Sequence, residues 1–284
     1  KPPALWLPTQ ADKEYSNVGQ LMQARGIKCY DDLLDFSRNN KADFLESGLE
    51  RLGIQLHTNA QTTLDLSKGP EHAQWLSKAH INIVESCFTG TDLTKSNAIV
   101  SHDESGALLY TNYTALETRC AQIVCSILER NIQPGQRIAI AMPMNTESIA
   151  AFLAIIASGC SAVMIAESFS TEEIKIRLDI AEPVLVLTQD NLLRGSKQIP
   201  LYEKVAAATE ISCIVLSSDT DKASTVALRA QDCQWLDFLS SAQSFDYHYT
   251  SADTEIMVLF SSGTTGTPKA IPWTQSMPIK SALD

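Results

Sequence analysis

Nine consecutive residues near the end of the sequence have the composition of a polyphosphate-binding loop. The apolar segment EIMVLF is followed directly by Ser261-Ser262-Gly263-Thr264-Thr265-Gly266-Thr267-Pro268-Lys269. Glycines let backbone N–H groups approach phosphate oxygens, hydroxyls donate further hydrogen bonds, and an ammonium group neutralises charge. Inert surface loops are also rich in these residue types, but so long a match behind a buried strand favours phosphate binding.

This segment is not a Walker A loop. That motif needs four residues between its glycines and then Gly-Lys-Ser/Thr. Here Gly263 and Gly266 are three positions apart, and Pro268 precedes the lysine.

A second basic constellation, Arg194-Gly195-Ser196-Lys197, follows the apolar segment VLVLT. Two cations on a glycine turn suit a phosphate group. An exposed basic turn in an acidic protein is also commonly only solvated, so the residues alone leave both interpretations open.

The elements that must position these groups alternate between strand and helix patterns from about residue 97 to residue 260. A hairpin (AIVSHD and ALLYTNY) precedes a long helix, for which Thr114 and Glu117 predict a capping box. Strand RIAIAM, helix Thr146 to Ser158 and strand SAVMIA follow. Ser170 and Glu173 cap the next helix, which precedes strands VLVLT, ISCIVLS and EIMVLF. This alternation predicts an α/β fold with mainly parallel sheets flanked by helices.

The first 90 residues predict a helical N-terminal extension or cap, because apolar residues recur there at three-to-four spacing. The sequence thus divides into 1–90, the extension, and 91–284, the α/β portion. The extension carries no visible chemistry, since its three histidines lack carboxylate or cysteine partners at metal-ligand spacing: His57, His72 and His80.

Composition narrows the function classes. The 284 residues carry a net charge of −11 with no basic run, which argues against a nucleic-acid or anionic-membrane surface. Seven scattered cysteines indicate reduced thiols inside a cell. The uncharged stretch 149–166 has the minimum length of a membrane span, but Ser158-Gly159 interrupts it, which favours a buried helix, turn and strand. No secretory signal is visible, and the missing initial Met suggests that the natural N-terminus lies upstream.

The segment FSSGTTGTPK resembles the phosphate-loop signature of the acyl-activating (adenylate-forming) enzymes, which include acyl-CoA synthetases, adenylation domains of peptide synthetases and firefly luciferase. QPGQRIAIAMPMNTES, SFSTEEIKIRLDIAEP and LTQDNLLRGSKQIPLYEKV are similar to the acetyl-CoA synthetase branch. INIVESCF is similar to the LNIxxxC segment that enters the main domain there, and KAIPW to plant enzymes of the peroxisomal branch. The resemblance covers residues 80–284, approximately.

The resemblance implies a two-step reaction in which a carboxylic acid and Mg-ATP give an acyl-adenylate and pyrophosphate, after which CoA displaces AMP. It implies that one set of residues binds the ATP phosphates, with Lys269 and Thr265 also catalytic: Ser262, Gly263, Thr264, Thr265, Gly266 and Lys269. It also implies that Arg194 and Lys197 meet the phosphates of CoA and that Phe169 lies in the segment lining that site. No Mg²⁺ ligand can be identified in this sequence.

Two departures from the family limit these implications. Most members have glycine and histidine where this sequence has Ala270 and Trp273, so Trp273 either shapes the acid pocket or belongs to the core. The family's adenine, ribose and catalytic-lysine segments are absent before Asp284, so the sequence is interpreted as an N-terminal half that forms no acyl-adenylate alone.

Two alternatives therefore remain: a non-catalytic nucleotide-binding homologue or scaffold, and an adenylating enzyme that serves a carrier-protein thiol. The expected location is the cytoplasm, or the peroxisomal matrix in a eukaryote.

Overall fold

The computed structural model describes residues 7–90, 92–102, 106–194, 197–219, 222–261 and 266–283, and of Arg194 and Leu283 it describes the backbone only. Four helices open the chain: α1 Gln10–Tyr15, α2 Asn17–Arg25, α3 Tyr30–Asn39 and α4 Lys41–Leu52. Short strands and one short helix follow: β1 Thr62–Asp65, β2 Gln74–Ser77, β3 His80–Ile81 and α5 Ile83–Cys87.

Helical structure therefore fills only part of the predicted extension. Gly53 ends α4 in the left-handed conformation (φ 64°), which costs glycine no strain. The β-branched pair Thr62-Thr63 then lies in β1, which pairs antiparallel with β2. The helical prediction is thus wrong for most of residues 53–90, while a domain boundary near residue 90 stays a prediction.

The predicted hairpin is confirmed and leads into the longest helix. It consists of β4 Asn97–His102 and β5 Leu108–Asn112, and the helix is α6 Tyr113–Glu129. The predicted capping box of α6 is wrong. Asn112 is the N-cap and accepts from the Ala115 amide at 2.8 Å, whereas the Thr114 hydroxyl donates to the Leu93 carbonyl at 3.1 Å. The helix begins two residues earlier than predicted because Asn112 makes the better-placed cap.

A seven-stranded sheet forms the centre of the remaining structure, in the spatial order β12-β11-β8-β6-β7-β14-β15. Its strands are β6 Arg137–Ala141, β7 Ser161–Met164, β8 Leu185–Gln189, β11 Cys213–Leu216, β12 Cys233–Gln234, β14 Glu255–Ser261 and β15 Lys269–Thr274. All neighbours pair in parallel except β14 and β15, which are antiparallel. The predicted α/β fold with a mainly parallel sheet and an N-terminal group of helices is confirmed.

The remaining elements lie between the strands of this sheet or after them along the chain. They are α7 Thr146–Ala157, α8 Thr171–Ala181, β9 Asn191–Arg194, β10 Lys197–Pro200, α9 Leu201–Ala208, α10 Trp235–Phe238, β13 Thr250–Ser251 and α11 Met277–Leu283. The uncharged stretch 149–166 forms most of α7 and all of β7, as the sequence predicts. Within the described ranges, no helix combines the length and the apolar character needed to cross a membrane.

Alternating strand residues bury against opposite helical layers. Ile138 and Ile140 of β6 belong to the core that α6, α7 and α10 cover, whereas Ala139 and Ala141 belong to the core under α8 and α9. Successive strand residues point to opposite faces of a sheet, so a strand covered on both faces is apolar throughout. Helices α7 and α8 therefore lie on opposite faces of the sheet.

Asn82 joins the segment before α5 to the sheet layer. Its side chain is fully buried, and the Nδ2 atom lies 3.0–3.1 Å from the carbonyl oxygens of Ile156, Ala157 and His248. Its Oδ1 accepts from the Val84 amide at 3.2 Å and caps α5. One amide group thus satisfies backbone groups of three separate segments.

Strands β6, β7 and β14 are also linked at their amino ends by an ion pair. The Arg137 guanidinium donates to both carboxylate oxygens of Glu255 at 2.8 Å, and the Ser161 hydroxyl donates to Glu255 at 2.8 Å. Burial alone would raise the pKa of Glu255, but these hydrogen bonds outweigh it and hold the pKa below its ordinary value of 4.5.

We expect Glu255→Gln to destabilise the protein at pH 7 by about 1.5 kcal/mol, because the charge-assisted bonds are lost. A carboxyl group with a lowered folded pKa stabilises the fold above its unfolded pKa, and this contribution disappears as pH falls through the folded value. The gap between wild type and variant should therefore close below about pH 4.5. Urea unfolding from pH 7 to pH 3 measures it.

The matched control is Asp179→Asn, which removes an exposed helical pair with Lys175 at 2.8 Å. Exposed pairs add little to stability, because water screens the two charges. A gap for Glu255→Gln that matches this control, or that does not change with pH, would contradict the assigned role.

Candidate functional site

A cleft of about 390 Å³ lies at the carboxyl edge of the central sheet. It is lined by the carboxyl ends of β7 and β14, by the segments that follow β6 and β7, and by the start of α7. Its lining residues are mostly apolar: Met142, Met144, Ser148, Met164, Ile165, Ala166, Glu167, Phe169, Leu259 and Phe260.

The cleft coincides with a reversal in the order of the strands. From β6 the chain passes through α7 to β7 on one side, and from β7 it passes through α8 to β8 on the other side of β6. Since α7 and α8 lie on opposite faces, the connections leaving β6 and β7 diverge and leave a crevice between them. Open α/β sheets bind ligands at such a point.

Strand β14 brings the predicted phosphate loop to this same edge. It runs parallel to β7 and ends at Ser261, and the chain returns at Lys269, which is the antiparallel partner of Ser261. Ser262, Gly263, Thr264 and Thr265 lie outside the described residues. The two ends of the predicted loop are thus adjacent, directly after the cleft residues Leu259 and Phe260.

At the carboxyl end of the predicted loop, the structure describes Gly266 and Lys269. Gly266 has φ 86°, and a Cβ there would meet no atom within 4 Å, so conformation rather than crowding favours glycine. Lys269 is exposed at the start of β15, where its ammonium group is accessible to an anion.

Trp273 lies on β15 and is half-buried opposite Met257 of β14. It is not among the residues that line the cleft. Ala270, the other departure from the family pattern, is exposed opposite Phe260. A role for Trp273 in an acid pocket therefore stays a prediction.

The second basic constellation spans the turn of a hairpin. Strands β9 and β10 pair antiparallel, and Arg194 is the partner of Lys197, which is exposed. Gly195, Ser196 and the Arg194 side chain lie outside the described residues. The two cationic residues are thus neighbours at one end of the hairpin.

Asp190 fixes the base of that hairpin, and the sequence analysis did not identify it. Its buried carboxylate accepts from the Ser218 amide and the Ser224 hydroxyl, both at 2.8 Å. Its backbone carbonyl accepts from the Leu201 amide at 3.0 Å, where α9 begins. A polar residue directly after the buried strand β8 is the only sequence signal for this role.

Phe169 lies in the wall of the cleft, and its predicted part in a CoA site stays a prediction. The Arg177 guanidinium lies 3.8 Å from the centre of its ring. The Lys204 ammonium donates to the backbone carbonyls of Glu167 and Phe169, both at 3.0 Å. These two cations also escaped the sequence analysis, because each is an ordinary helix residue in the pattern.

The described part of the chain contains no group of three or more His, Cys, Asp or Glu residues that could hold a metal ion. A role for Mg²⁺ stays a prediction, because one or two carboxylates together with the phosphates of a nucleotide are enough to hold that ion. Covalent thiol catalysis is also unsupported by the buried cysteines. Burial raises the pKa of Cys120 and of Cys213 to about 12, so both stay protonated at neutral pH.

Comparison with known proteins gives one family and several relatives. The sequence profile of a family described as AMP-binding enzyme matches residues 95–284. The chain is 35% identical to "Probable acyl-activating enzyme 18, peroxisomal" of Arabidopsis thaliana and 33% identical to "Hexanoyl-CoA synthase" of Cannabis sativa. Each match covers 100% of this chain but 42% of the relative, so the chain spans less than half the length of these proteins.

A solved structure, acetoacetyl-CoA synthetase from Streptomyces lividans, has a similar fold. The TM-score is 0.88 at 21% sequence identity, over 98% of this chain and 44% of that one. At this identity the match shows the fold alone.

Proposed function

Because the chain belongs to the family of AMP-binding enzymes, we propose that the full-length protein is an ATP-dependent acid–thiol ligase. In the first step, a carboxylate oxygen attacks the α-phosphorus of ATP and pyrophosphate leaves, giving an acyl-adenylate. In the second step, the thiol of CoA attacks the acyl carbonyl, loses its proton and releases AMP. The products are a thioester, AMP and pyrophosphate.

One observation carries this proposal: β14 delivers the Ser/Thr/Gly-rich segment to the sheet edge where the cleft opens. Charge grows on the phosphate oxygens as pyrophosphate leaves. Fixed N–H and O–H donors aimed at that charge, together with a lysine, lower the barrier. The two ends of the loop are fixed next to each other, because Ser261 and Lys269 are partners in paired strands.

We assign the β- and γ-phosphates of ATP to this loop. The hydroxyls of Ser262, Thr264 and Thr265 and the backbone amides of Gly263 and Gly266 donate to phosphate oxygens. Lys269 supplies the countercharge and, with Thr265, acts during adenylation.

We assign the phosphates of the CoA nucleotide to Arg194 and Lys197, at the turn end of the β9–β10 hairpin. Phe169 in the cleft wall belongs to the same site. Two adjacent cations bind a phosphate group more tightly than one.

We propose no specific carboxylic acid as the substrate, because neither Trp273 nor the apolar cleft defines the length of the acyl chain. The names of the relatives define a panel of acids: acetate, acetoacetate and hexanoate. The name of the Arabidopsis relative also favours testing the peroxisomal matrix as the location, with the cytoplasm as the alternative.

Acid-dependent exchange of labelled pyrophosphate into ATP, with each acid of the panel, tests the first step in the full-length protein. AMP release with and without CoA tests the second. We expect exchange without CoA, and AMP release that rises at least tenfold when CoA is added. The 1–284 chain alone serves as a comparison and is expected to give no exchange.

The departures Ala270 and Trp273 favour one second candidate, a non-catalytic nucleotide-binding homologue. That protein would bind ATP and show no exchange with any acid. An enzyme that serves a carrier-protein thiol would show exchange, but its AMP release would not respond to CoA.

A further inference from the structure

Two cations, the half-buried Lys204 and the buried Arg177, hold the segment between β7 and α8 in place. We call residues 165–169 the cleft loop, since four of its members line the cleft: Ile165, Ala166, Glu167 and Phe169. Lys204 of α9 donates to the carbonyls of Glu167 and Phe169, both at 3.0 Å. The Phe169 amide donates to the Ala166 carbonyl at 3.2 Å and closes the loop into a turn.

Arg177 of α8 contacts the same loop through the ring of Phe169. Its side chain is 7% exposed, and its guanidinium lies 3.8 Å from the ring centre of Phe169 and 5.7 Å from that of Phe260. One Nη donates to the Glu173 carbonyl at 2.8 Å, while within the described structure Nε has no hydrogen-bond partner.

A buried cation with an unsatisfied donor is costly, so its surroundings must compensate. Aromatic faces do this at the observed distance, and the attraction is stronger where water is excluded. The guanidinium therefore fixes the positions of two aromatic rings that both line the cleft.

The two cations differ in what they connect. Lys204 lies on α9, which begins immediately after the β9–β10 hairpin with its proposed CoA-binding residues. Arg177 contacts the cleft loop and also Phe260, which immediately precedes Ser261 and the phosphate loop. Lys204 thus links the cleft loop to the hairpin, and Arg177 links it to β14.

We propose that Lys204 and Arg177 are positioning residues, which hold the cleft loop so that Phe169 contacts the CoA nucleotide during thioester formation. This inference rests on the proposed function. Lys204 acts on the CoA step alone, because both hydrogen bonds that it makes within the described structure are with the cleft loop. Arg177 acts on both steps, because it also supports the strand that leads to the phosphate loop.

The test uses the full-length protein with Lys204→Met, its conservative counterpart Lys204→Arg, and Lys175→Met as a control. Lys175 is an exposed lysine of α8 paired with Asp179, so its replacement removes the same charge away from the cleft loop. For Lys204→Met we expect the KM for CoA to rise about tenfold, because two hydrogen bonds from a charged donor are lost. Pyrophosphate exchange should stay within about twofold of wild type, since adenylation does not use these contacts.

Lys204→Arg should recover most of the CoA affinity, and Lys175→Met should behave as wild type. Arg177→Met should raise the KM for CoA and also slow pyrophosphate exchange. Arg177→Lys should restore only part of either, because an ammonium group lacks the flat face that stacks on the rings.

Hydrogen exchange supplies a readout that needs no catalysis. Amides of the cleft loop should exchange faster in Lys204→Met than in wild type, while those of α6 stay protected. An unchanged KM in an active Lys204→Met enzyme, or equal losses in both steps, would overturn the proposal. Unchanged hydrogen exchange in the cleft loop of Lys204→Met would also overturn it.

The results that would contradict the proposed function differ from those that would contradict this inference. Wild-type protein that forms no thioester with CoA removes both the function and this inference. Wild-type protein that forms thioester normally, with variants indistinguishable from it, removes this inference alone.

Discussion

Replacing Asn82 with alanine is expected to lower the free energy of unfolding by about 3 kcal/mol. The fully buried amide lies within hydrogen-bond distance of the Ile156, Ala157 and His248 carbonyls and accepts from the Val84 amide. Alanine would leave these backbone groups unpaired in the interior, where water cannot replace the lost partner. Two of the carbonyls belong to the last turn of α7, so that helix should lose protection first.

Urea unfolding of Asn82→Ala, Asn82→Asp and a matched asparagine variant measures this effect. Aspartate keeps the acceptor for the Val84 amide but donates nothing, so Asn82→Asp should be at least as destabilised as Asn82→Ala. Asn40→Ala is the control, because Asn40 is an exposed N-cap whose side chain makes no capping bond. A loss for Asn82→Ala no greater than that of the control would contradict this account.

Replacing Lys269 with alanine in the full-length protein is expected to slow adenylation by about 1.5 to 3 kcal/mol in activation free energy, which is about 10- to 160-fold in rate. Lys269 is exposed at the point where β15 begins beside the end of β14, so its ammonium group is available to the phosphates of ATP. Removing it leaves the charge that develops on pyrophosphate without its countercharge. Thr265→Val should have a comparable effect through the loss of one donor.

Acid-dependent pyrophosphate exchange over a range of ATP concentrations measures this loss. Lys269→Arg should keep part of the rate, because it keeps the charge. Lys13→Ala, which removes an exposed lysine from α1, should have no effect. Exchange at wild-type rates in both Lys269→Ala and Thr265→Val would contradict the assignment of the loop.

Local sequence patterns predict the part of the fold that positions the cleft. Apolar runs such as RIAIAM and VLVLT predict strands covered on both faces, and β6 and β8 are such strands. The Ser170–Glu173 capping box is present, with the Ser170 amide donating to Glu173 at 2.9 Å. These features depend on neighbours a few positions apart, which a pattern in the sequence contains.

Features that depend on distant partners could not be predicted in this way. Asn82 pairs with groups 74 to 166 positions away, and nothing around it in the sequence indicates a buried amide. Strand β15 contains Pro272, which disfavours an interior strand, yet it fits at the edge of the sheet beside β14. Arg177 and Lys204 matter through a loop that only the packed helices bring near them.

The residues of the candidate site also fall into two groups, those that a local pattern predicts and those that depend on distant partners. The predicted phosphate loop is continuous in sequence, so its composition alone predicts its chemistry, and the structure adds that its ends meet at the cleft. Phe169 lies in the cleft loop and Lys197 on β10, and in the sequence only the resemblance to a family connects them. In the fold, Lys204 links the two residues. It donates to the Phe169 carbonyl and lies on α9, which directly follows the strand that begins at Lys197.

The most direct test of the central claim follows the fate of ATP labelled on its α-phosphate. Full-length protein in excess over ATP is mixed with each acid of the panel and then chased with CoA, and samples are quenched before and after the chase. We expect a labelled acyl-adenylate and an equal amount of pyrophosphate before the chase, and conversion of the adenylate to AMP and thioester in equal amounts after it. Labelled ADP with free phosphate, or bound ATP that no acid converts to an adenylate, would contradict the claim.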